Sequence, residues 1–507
     1  MKDKVVIWCG LDFTQFCMTY YLQKIYDCEL YAIIDITDKT KKFFKTQKLV
    51  NFKKSWFLHD QYEKPNALPD IEYLKNFEQK YGFNIWKLAL NERIFYGFFN
   101  FYKFSSNDIL SIIEQICKFY ERFFAEVKPD FFITKLTAFH HLELFRKMCI
   151  YHGVKVLMLS NPKVPTKNII SEDDVKFDYV LNLDTIDAPE KTFSQLHEDF
   201  KSLSSRVLSL NHGLDFWNRH SSASITKTLK ILLHYIFSRN TNHHTHYNYY
   251  GRTKSKVILH YIGILLRVKI REMFINRCLS NNPDLTSPFV YYPLDVVLER
   301  HVLIGAPFHV NQIEVIRNII KSLPVGYRLL VKEHPVQKSR EWRSISEYKE
   351  ILEIPNVTLI HPSFSDLDLI KKSSLVISIA GSSAFEAVFH QKPTLIFGDA
   401  IYSYLPCVTK NVSIESLSQD IRVLLSTEVN SKDLSKYMKV LSENLISFNF
   451  VEFFTEFLER FAFSGGYNDV EINESELENF ILEKRNSLEY LSNCHLYKIN
   501  QHKMMAV

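Results

Sequence analysis

The sequence contains few of the residues that build repetitive or covalently cross-linked chains. Its 507 residues include only 13 glycines and 16 prolines, which excludes collagen-like and glycine-rich low-complexity classes. The 8 cysteines are scattered along the chain without a C-x-x-C pair. This distribution argues against a disulfide framework or a structural zinc site and favours buried, reduced thiols.

Long apolar runs and strong charge are also lacking. The apolar run near the N-terminus is too short for a signal peptide, and residues 257–266 have about half the length needed to cross a bilayer. The net charge of +5 is too small to indicate nucleic acid. We therefore expect a cytoplasmic protein with no transmembrane segment and no nucleic-acid partner.

Four familiar catalytic signatures are missing as well. The sequence has no G-x-G-x-x-G after an opening strand, no Walker A motif, no H-E-x-x-H and no G-x-S-x-G. These absences argue against NAD-dependent chemistry, P-loop ATP hydrolysis, zinc-protease activity and α/β-hydrolase activity. No cofactor is predicted.

The patterns that are present indicate an α/β protein. Apolar runs alternate with helical patterns at βαβ spacing, first from residue 5 onward and again from residue 289. This predicts two Rossmann-like, doubly wound parallel-sheet domains that face a cleft, although the pattern also allows a two-domain epimerase or a periplasmic-type binding protein. Residues 302–304 are expected to form a strand. The predicted divisions are a first domain (1–215), a basic helical linker or insertion (216–285), a second domain (286–430) and C-terminal helices (431–507).

One segment carries most of the excess positive charge. Residues 219–277 contain eleven Lys or Arg and one acidic residue, Glu272. The pattern predicts two helices, at 225–237 and 255–274, joined by a polar loop with His243, His244 and His246. That loop offers no carboxylate or thiolate to support a metal site. The segment is interpreted either as a solvated linker or as a surface for an acidic glycan or anionic lipid headgroups, from which salt would release the protein.

The strongest local motif is a strand followed by a turn of small residues and a helix, at residues 379–387. The turn Gly381-Ser382-Ser383 leaves backbone amides free at the start of the helix, which suits phosphate oxygens. Glu386, one turn further on, can accept hydrogen bonds from ribose hydroxyls. The alternative interpretation is a capping box, because Ser383 and Glu386 have S-x-x-E spacing.

A second motif ends the strand predicted at residues 328–332. Lys332 and His334 follow one another closely there, and ligands of open α/β sheets bind at the carboxyl ends of strands. A His and a Lys can neutralise a phosphate, and a protonated His could donate a proton to a leaving group. The pair Asp366 and Asp368 is interpreted as the ordinary acidic start of a helix rather than a metal-binding D-x-D motif.

Residues 289–398 resemble the capsule polysaccharide biosynthesis family of bacterial surface-carbohydrate transferases, which includes Kdo transferases. A weaker match lies at residues 129–157, and one departure is Asp295, which stands where the family often has a His. The resemblance implies a GT-B glycosyltransferase in which His334, Ser382 and Ser383 hold the nucleotide phosphate and Glu386 holds ribose. The matching pieces are residues 289–294, 323–324, 331–335, 355–357, 381–387 and 392–398.

The resemblance leads to a functional hypothesis. The second domain would bind a nucleotide sugar, with a CMP-activated ulosonic acid such as Kdo favoured over a UDP donor. The first domain would bind a capsule or lipopolysaccharide glycan or glycolipid acceptor, at the inner face of the plasma membrane and without a metal. A polyol-phosphate transferase of the teichoic-acid type and a non-catalytic assembly protein remain alternatives. The catalytic candidates are His334 and His140, with His141, Glu143 and Asp12 also considered.

Overall fold

The computed structural model describes residues 2–61, 68–97, 101–179, 181–204, 225–238 and 247–505. In these ranges the chain forms two six-stranded sheets. Both have the same winding, because the first strand of each sheet lies in the middle and later strands are added outward on either side. The predicted fold class, two Rossmann-like domains, is confirmed.

The first sheet has the order β3-β2-β1-β4-β5-β6, and only β6 runs antiparallel. Val6 and Trp8 of β1 enter one core while Val5 and Ile7 enter another, so the sheet is buried on both faces. Its strands are β1 (Lys4–Cys9), β2 (Glu29–Ile34), β3 (Lys54–Phe57), β4 (Phe131–Lys135), β5 (Lys155–Ser160) and β6 (Ile169–Ser171). The helices in this part of the chain are Thr14–Ile25, Asp38–Thr46, Ile71–Tyr81, Ile85–Ala89, Arg93–Tyr96, Ser106–Val127, His140–Tyr151 and Phe193–Ser204.

The second sheet has the order β12-β11-β10-β7-β8-β9, with every pairing parallel. Its strands are β7 (Phe289–Pro293), β8 (Arg328–Lys332), β9 (Val357–Ile360), β10 (Leu375–Ser378), β11 (Thr394–Ile396) and β12 (Val408–Lys410). The helices around it are Arg300–Leu303, Gln312–Ser322, Ile345–Leu352, Asp366–Lys372, Ser382–Phe389 and Leu417–Leu425.

The strand predicted at residues 302–304 is wrong, because this segment is the short helix Arg300–Leu303. Val302 packs with Ala306 and Ile379 of the second domain, and polar groups of the helix bond to the first domain, so no sheet is needed to satisfy them. Arg300 donates from Nε to the Thr137 carbonyl at 3.0 Å, and Asn91 donates to the Leu303 carbonyl at 3.1 Å.

The C-terminal helices return to the first domain. Ser492 donates a hydrogen bond to the carbonyl of Met18, and Phe457, Leu477 and Leu488 join one core of the first sheet. Lys484 separates the last two helices of the predicted C-terminal helical region. The helices are Ser431–Asn444, Phe450–Phe461, Glu474–Glu483 and Arg485–Met505.

Two helices, Ile225–Phe237 and Lys254–Cys278, lie in the basic segment where helices were predicted. The loop containing His243, His244 and His246 falls outside the described residues. Within the described ranges, none of the helices combines the length and the apolar content needed to cross a membrane.

Candidate functional site

A pocket of about 240 Å³ lies between the two domains, at the carboxyl ends of β7, β8 and β10. The sheet order reverses between β7 and β10, and such a switch point is where open α/β sheets bind ligands. A loop that follows β5 of the first sheet closes the other side. The lining residues are Asn161, Lys163, Pro165, Pro293, Leu294, Asp295, Val296, Glu299, His301, His334, Ser378, Gly381, Ser382 and Ser383.

The turn after β10 supplies the first group of polar atoms. Gly381 is the N-cap of helix Ser382–Phe389, and no side chain caps this end, so the alternative capping box between Ser383 and Glu386 does not form. The Gly381 N–H donates to Ser378 Oγ at 2.9 Å, and a Cβ at residue 381 would lie 2.7 Å from that oxygen. Glycine therefore permits the close turn that places Ser382 and Ser383 on the pocket.

His334 enters the pocket from the loop after β8. Its Nδ1 accepts a hydrogen bond from the Val336 N–H at 3.1 Å, so a neutral ring carries its proton on Nε2. Burial lowers the pKa of His334 below its ordinary value, and the imidazole is then neutral at pH 7. His334 is suited to donate a hydrogen bond from Nε2 rather than to bring a positive charge.

Two other predicted site residues lie outside the pocket lining. The buried Lys332 ammonium pairs with Asp366 at 2.9 Å, and Asp366 also accepts a hydrogen bond from Tyr291. This contact engages the first carboxylate of the D-x-D-like pair. Glu386 is buried on the helix that starts at Ser382 and does not line the pocket.

The positive charge in the pocket comes from residues that the sequence did not single out. Lys163 reaches it from the first domain, on a loop that Asn161 braces by accepting from the Lys163 N–H at 2.8 Å. His301 lies between two carboxylates, with Nε2 2.8 Å from Asp295 and Nδ1 3.2 Å from Glu299. Long sequence separation hid this arrangement, because no local motif links these residues.

The two carboxylates favour the protonated form of His301. Burial and the nearby Lys163 ammonium would lower the pKa of His301, but its hydrogen bonds to Asp295 and Glu299 raise the pKa above its ordinary value. Burial would raise the pKa of Glu299, but the His301 contact holds it at about 2. The pocket thus contains an imidazolium between two carboxylates, beside a lysine without an ion pair among the described residues.

The two carboxylate oxygens of Asp295 differ in their hydrogen bonding. Its Oδ1 contacts His301, whereas Oδ2 is buried and has no hydrogen-bond donor among the described residues. The Asp295 backbone is fixed on both sides, because Gln312 accepts from its N–H at 2.9 Å and donates to its carbonyl at 3.0 Å. A ligand hydroxyl would supply the donor that Oδ2 lacks.

A buried network connects the loops that carry Asp295 and His334. Glu333 is fully buried and accepts hydrogen bonds from Arg343 at 3.0 Å, from Tyr348 at 2.8 Å and from the His334 N–H at 2.7 Å. Arg343 also donates to the Asp295 carbonyl at 2.6 Å. The spacing between these two pocket residues is therefore set by charged groups behind the pocket.

The candidates predicted in the first domain are engaged elsewhere. His140 is buried with Nδ1 2.9 Å from Glu92, and His141 contacts Asp35 at 3.0 Å. The other two are also ion-paired, Glu143 with Arg146 and Asp12 with Lys135. None of these four lines the pocket, so the structure does not bring His140 and His334 together in it.

Comparison with known proteins places this geometry in a family context. Residues 206–440 match the family model described as capsule polysaccharide biosynthesis protein. The resemblance predicted from the sequence is thereby confirmed for this stretch, which contains the second sheet and its pocket residues. No curated protein matches the sequence.

Several solved structures match this chain at low similarity. UDP-GlcNAc 2-epimerase from Methanocaldococcus jannaschii is 14% identical, with 87% of this chain and 99% of that chain covered and a TM-score of 0.24. Two KpsC transferase structures from Thermosulfurimonas dismutans are also similar. The β-Kdo 2,7 transferase is 14% identical, covering 74% of this chain and 97% of its own at a TM-score of 0.30. The β-Kdo 2,4 transferase is 10% identical, covering 61% and 78% at a TM-score of 0.28.

Proposed function

We propose that this protein is a glycosyltransferase that moves a sugar from a nucleotide donor to a capsule or lipopolysaccharide acceptor. The observation that carries the proposal is the interdomain pocket, in which Ser382, Ser383 and His334 meet within the family-matched stretch. A helix start, two hydroxyls and an imidazole N–H together suit one phosphate group. A CMP-activated ulosonic acid such as Kdo is the proposed donor.

The donor has two anionic groups to place, the CMP phosphate and the sugar carboxylate. In the proposed complex the phosphate lies at the Ser382 and Ser383 amides, with His334 Nε2–H donating to one of its oxygens. Lys163 and the His301 imidazolium then face the carboxylate. A second phosphate of a UDP donor would meet the same two cations, so nucleotide selectivity is the property to measure first.

The proposed reaction is a displacement at the anomeric carbon. The acceptor hydroxyl oxygen forms a bond to that carbon, the bond from the carbon to the phosphate oxygen breaks, and CMP leaves. The hydroxyl proton passes to a carboxylate, and Asp295 is the base that we propose, since it lines the pocket with one oxygen lacking a donor among the described residues. His140 is a weaker candidate because it lies outside the lining.

We further propose that the protein works at the inner face of the plasma membrane, where its acceptor would be held. Support for this location comes from the basic segment at residues 219–277. No metal or nucleic acid enters the proposal.

Nucleotide binding tests the site. A thermal-shift panel of CMP, CDP, UMP, UDP, GDP and dTDP should show stabilisation by CMP, and calorimetry should show His334→Ala and Ser382→Ala each weakening CMP binding by about tenfold or more. His361→Ala is the matched control, because His361 follows the neighbouring strand β9 and lies outside the pocket. Unchanged affinity in both site variants would overturn the assignment.

Product analysis separates the remaining functions. Phosphorus NMR should find the donor phosphate in released CMP. Phosphate in the acceptor product would instead indicate a polyol-phosphate transferase of the teichoic-acid type. Nucleotide binding without turnover of any nucleotide sugar would indicate a non-catalytic assembly protein.

A further inference from the structure

The helix Lys254–Cys278 has an apolar row on its solvent side. The row's members are three or four residues apart, which places them on one face of the helix. Soluble proteins normally place such a row toward the core. The exposed fractions are 68% for Leu259, 50% for Ile262, 58% for Leu266, 50% for Ile270 and 63% for Met273.

In the C-terminal half of this helix, the opposite face is anchored to the second domain. Ile275 is buried there, and Val268 and Phe274 pack against the same core. Arg267 pairs with Glu341 at 2.9 Å, and Arg271 donates to the Glu341 carbonyl, also at 2.9 Å. These contacts fix the rotation of the helix, so the apolar row cannot turn inward without breaking them.

Cations accompany the exposed row. Lys256, Lys269 and Arg277 are exposed on the same helix, and its single acidic residue, Glu272, is neutralised by Lys338 at 2.8 Å. Phe237, at the end of the preceding helix, is also 81% exposed. A surface that combines apolar side chains with positive charge is complementary to an anionic bilayer, whose headgroups and acyl chains match both parts.

We propose that helix Lys254–Cys278 lies in the plane of an anionic membrane with its apolar row inserted among the acyl chains. A helix of this length extends about 37 Å, which gives one long contact parallel to the surface. The inference rests on the proposed membrane location and adds the element and the mode of binding. The charge pattern of the sequence predicts release by salt, whereas an inserted row predicts binding that salt weakens without abolishing.

Flotation of the full-length protein tests the mode of binding. Vesicles of phosphatidylcholine with one quarter phosphatidylglycerol should capture it at about 0.1 M NaCl and retain a measurable fraction at about 1 M, where the Debye length has shrunk to about 3 Å. Complete release at the higher salt, or no capture at the lower, would overturn the proposal.

Two matched variants separate the apolar and the charged contributions. The triple change L259Q/L266Q/M273Q should reduce partitioning at least tenfold at both salt concentrations. The control V325Q/V412Q changes apolar residues that are 104% and 84% exposed elsewhere and should bind like the wild type. Wild-type partitioning by the triple variant would overturn the proposal. A second outcome would also overturn it. If the wild type proved to be a dimer, and the triple variant became monomeric while still binding vesicles, the row would contact a second copy of the chain instead of the membrane.

Nucleotide stabilisation in the same samples keeps this proposal separate from the proposed function. The triple variant should keep the wild-type thermal shift with CMP, which also shows that it is folded. Vesicle binding without any nucleotide shift in the wild type would reject the transferase and leave the membrane contact standing.

Discussion

The two sheets share one winding, but the polar residues at their carboxyl edges are organised differently. At the edge of the first sheet, Asp35 contacts both His59 and His141, and Glu92 contacts His140. At the edge of the second sheet, polar groups surround a pocket, and one oxygen of Asp295 lacks a donor among the described residues. The same topology therefore supports one edge at which both oxygens of Asp35 are bonded and another at which an oxygen of Asp295 has no donor among the described residues.

The physical difference lies in how each edge pairs its charges. Burial would raise the pKa of Asp35, but His141 and His59 outweigh burial and hold the pKa well below its usual range. A carboxylate between two imidazoles has little left to offer a ligand. In the pocket, Lys163 makes no ion pair within the described part of the chain, so its charge remains available. Among the described residues, the ligand site is distinguished by a charge without an ion pair and a carboxylate oxygen without a hydrogen-bond donor.

Among the variants at the pocket edge of the second sheet, Asp295→Asn should have the largest effect. If Asp295 is the base that takes the proton from the hydroxyl of the acceptor glycan, its loss should slow turnover by about 10²–10⁴-fold. The substrate for this assay is the nucleotide sugar identified by the nucleotide panel. The free energy of unfolding should fall by about 1–3 kcal/mol, because the isosteric amide keeps the backbone contacts but weakens the contact with His301. Steady-state kinetics together with urea unfolding make the measurement. Wild-type turnover would remove Asp295 as the base.

Arg343→Leu should disrupt the buried network behind the pocket of the second sheet. The change leaves Glu333 buried without its cation, which costs about 3–5 kcal/mol in the free energy of unfolding. Arg317→Leu is the control, because Arg317 pairs with Glu350 at the surface and its loss should cost about 1 kcal/mol or less. Urea unfolding measures both. Equal losses in the two variants would show that the buried network does not stabilise this domain.

His495 makes the first domain sensitive to acid. Burial lowers the pKa of His495 to about 4, so the unfolded chain takes up a proton at higher pH than the folded one. Stability from this group is complete above about pH 6.5 and is lost as pH falls toward 4, by about 3 kcal/mol. His495→Leu should flatten the acid side of the stability profile, measured by urea unfolding at several pH values. A profile as steep as that of the wild type would contradict this.

Asp35→Asn should lower stability without changing turnover, unlike Asp295→Asn. Replacing the shared carboxylate weakens its bonds to His59 and His141 and should cost about 1–2 kcal/mol. Turnover per folded molecule should remain that of the wild type, because Asp35 does not line the pocket. Active-site titration with CMP corrects the kinetics for the folded fraction. A large loss of turnover in fully folded protein would show that Asp35, at the edge of the first sheet, contributes to the reaction.

The smallest predicted effect is the titration of His301. Its pKa is raised in the folded protein, so the stabilisation is complete below about pH 6.5 and is lost as pH rises through the higher folded pKa. Because the ring is 20% exposed, the loss should stay within about 1 kcal/mol. His301→Gln should remove this alkaline decline in the melting temperature. Its persistence would assign the decline to another group.

Much of the two-sheet architecture could be predicted from the sequence alone. Buried parallel strands read as continuous apolar runs. The strand predicted at residues 328–332 agrees with β8, and the strand predicted before the turn at Gly381 is observed as β10. Parallel strands end at one edge of a sheet, which is why the sequence predicts that His334 and Ser382 lie close together. These are local patterns joined by one topological rule.

The tertiary structure decided which charges remain for a ligand and which face of a helix meets solvent. Lys332 stands two residues before His334, yet its ammonium reaches Asp366, and His140 reaches Glu92. Lys163 joins the pocket from the other domain, and the apolar row of helix Lys254–Cys278 faces outward. Periodicity specifies how side chains repeat along an element. The partner that each side chain meets depends on segments far away in the chain, and only their packing determines it.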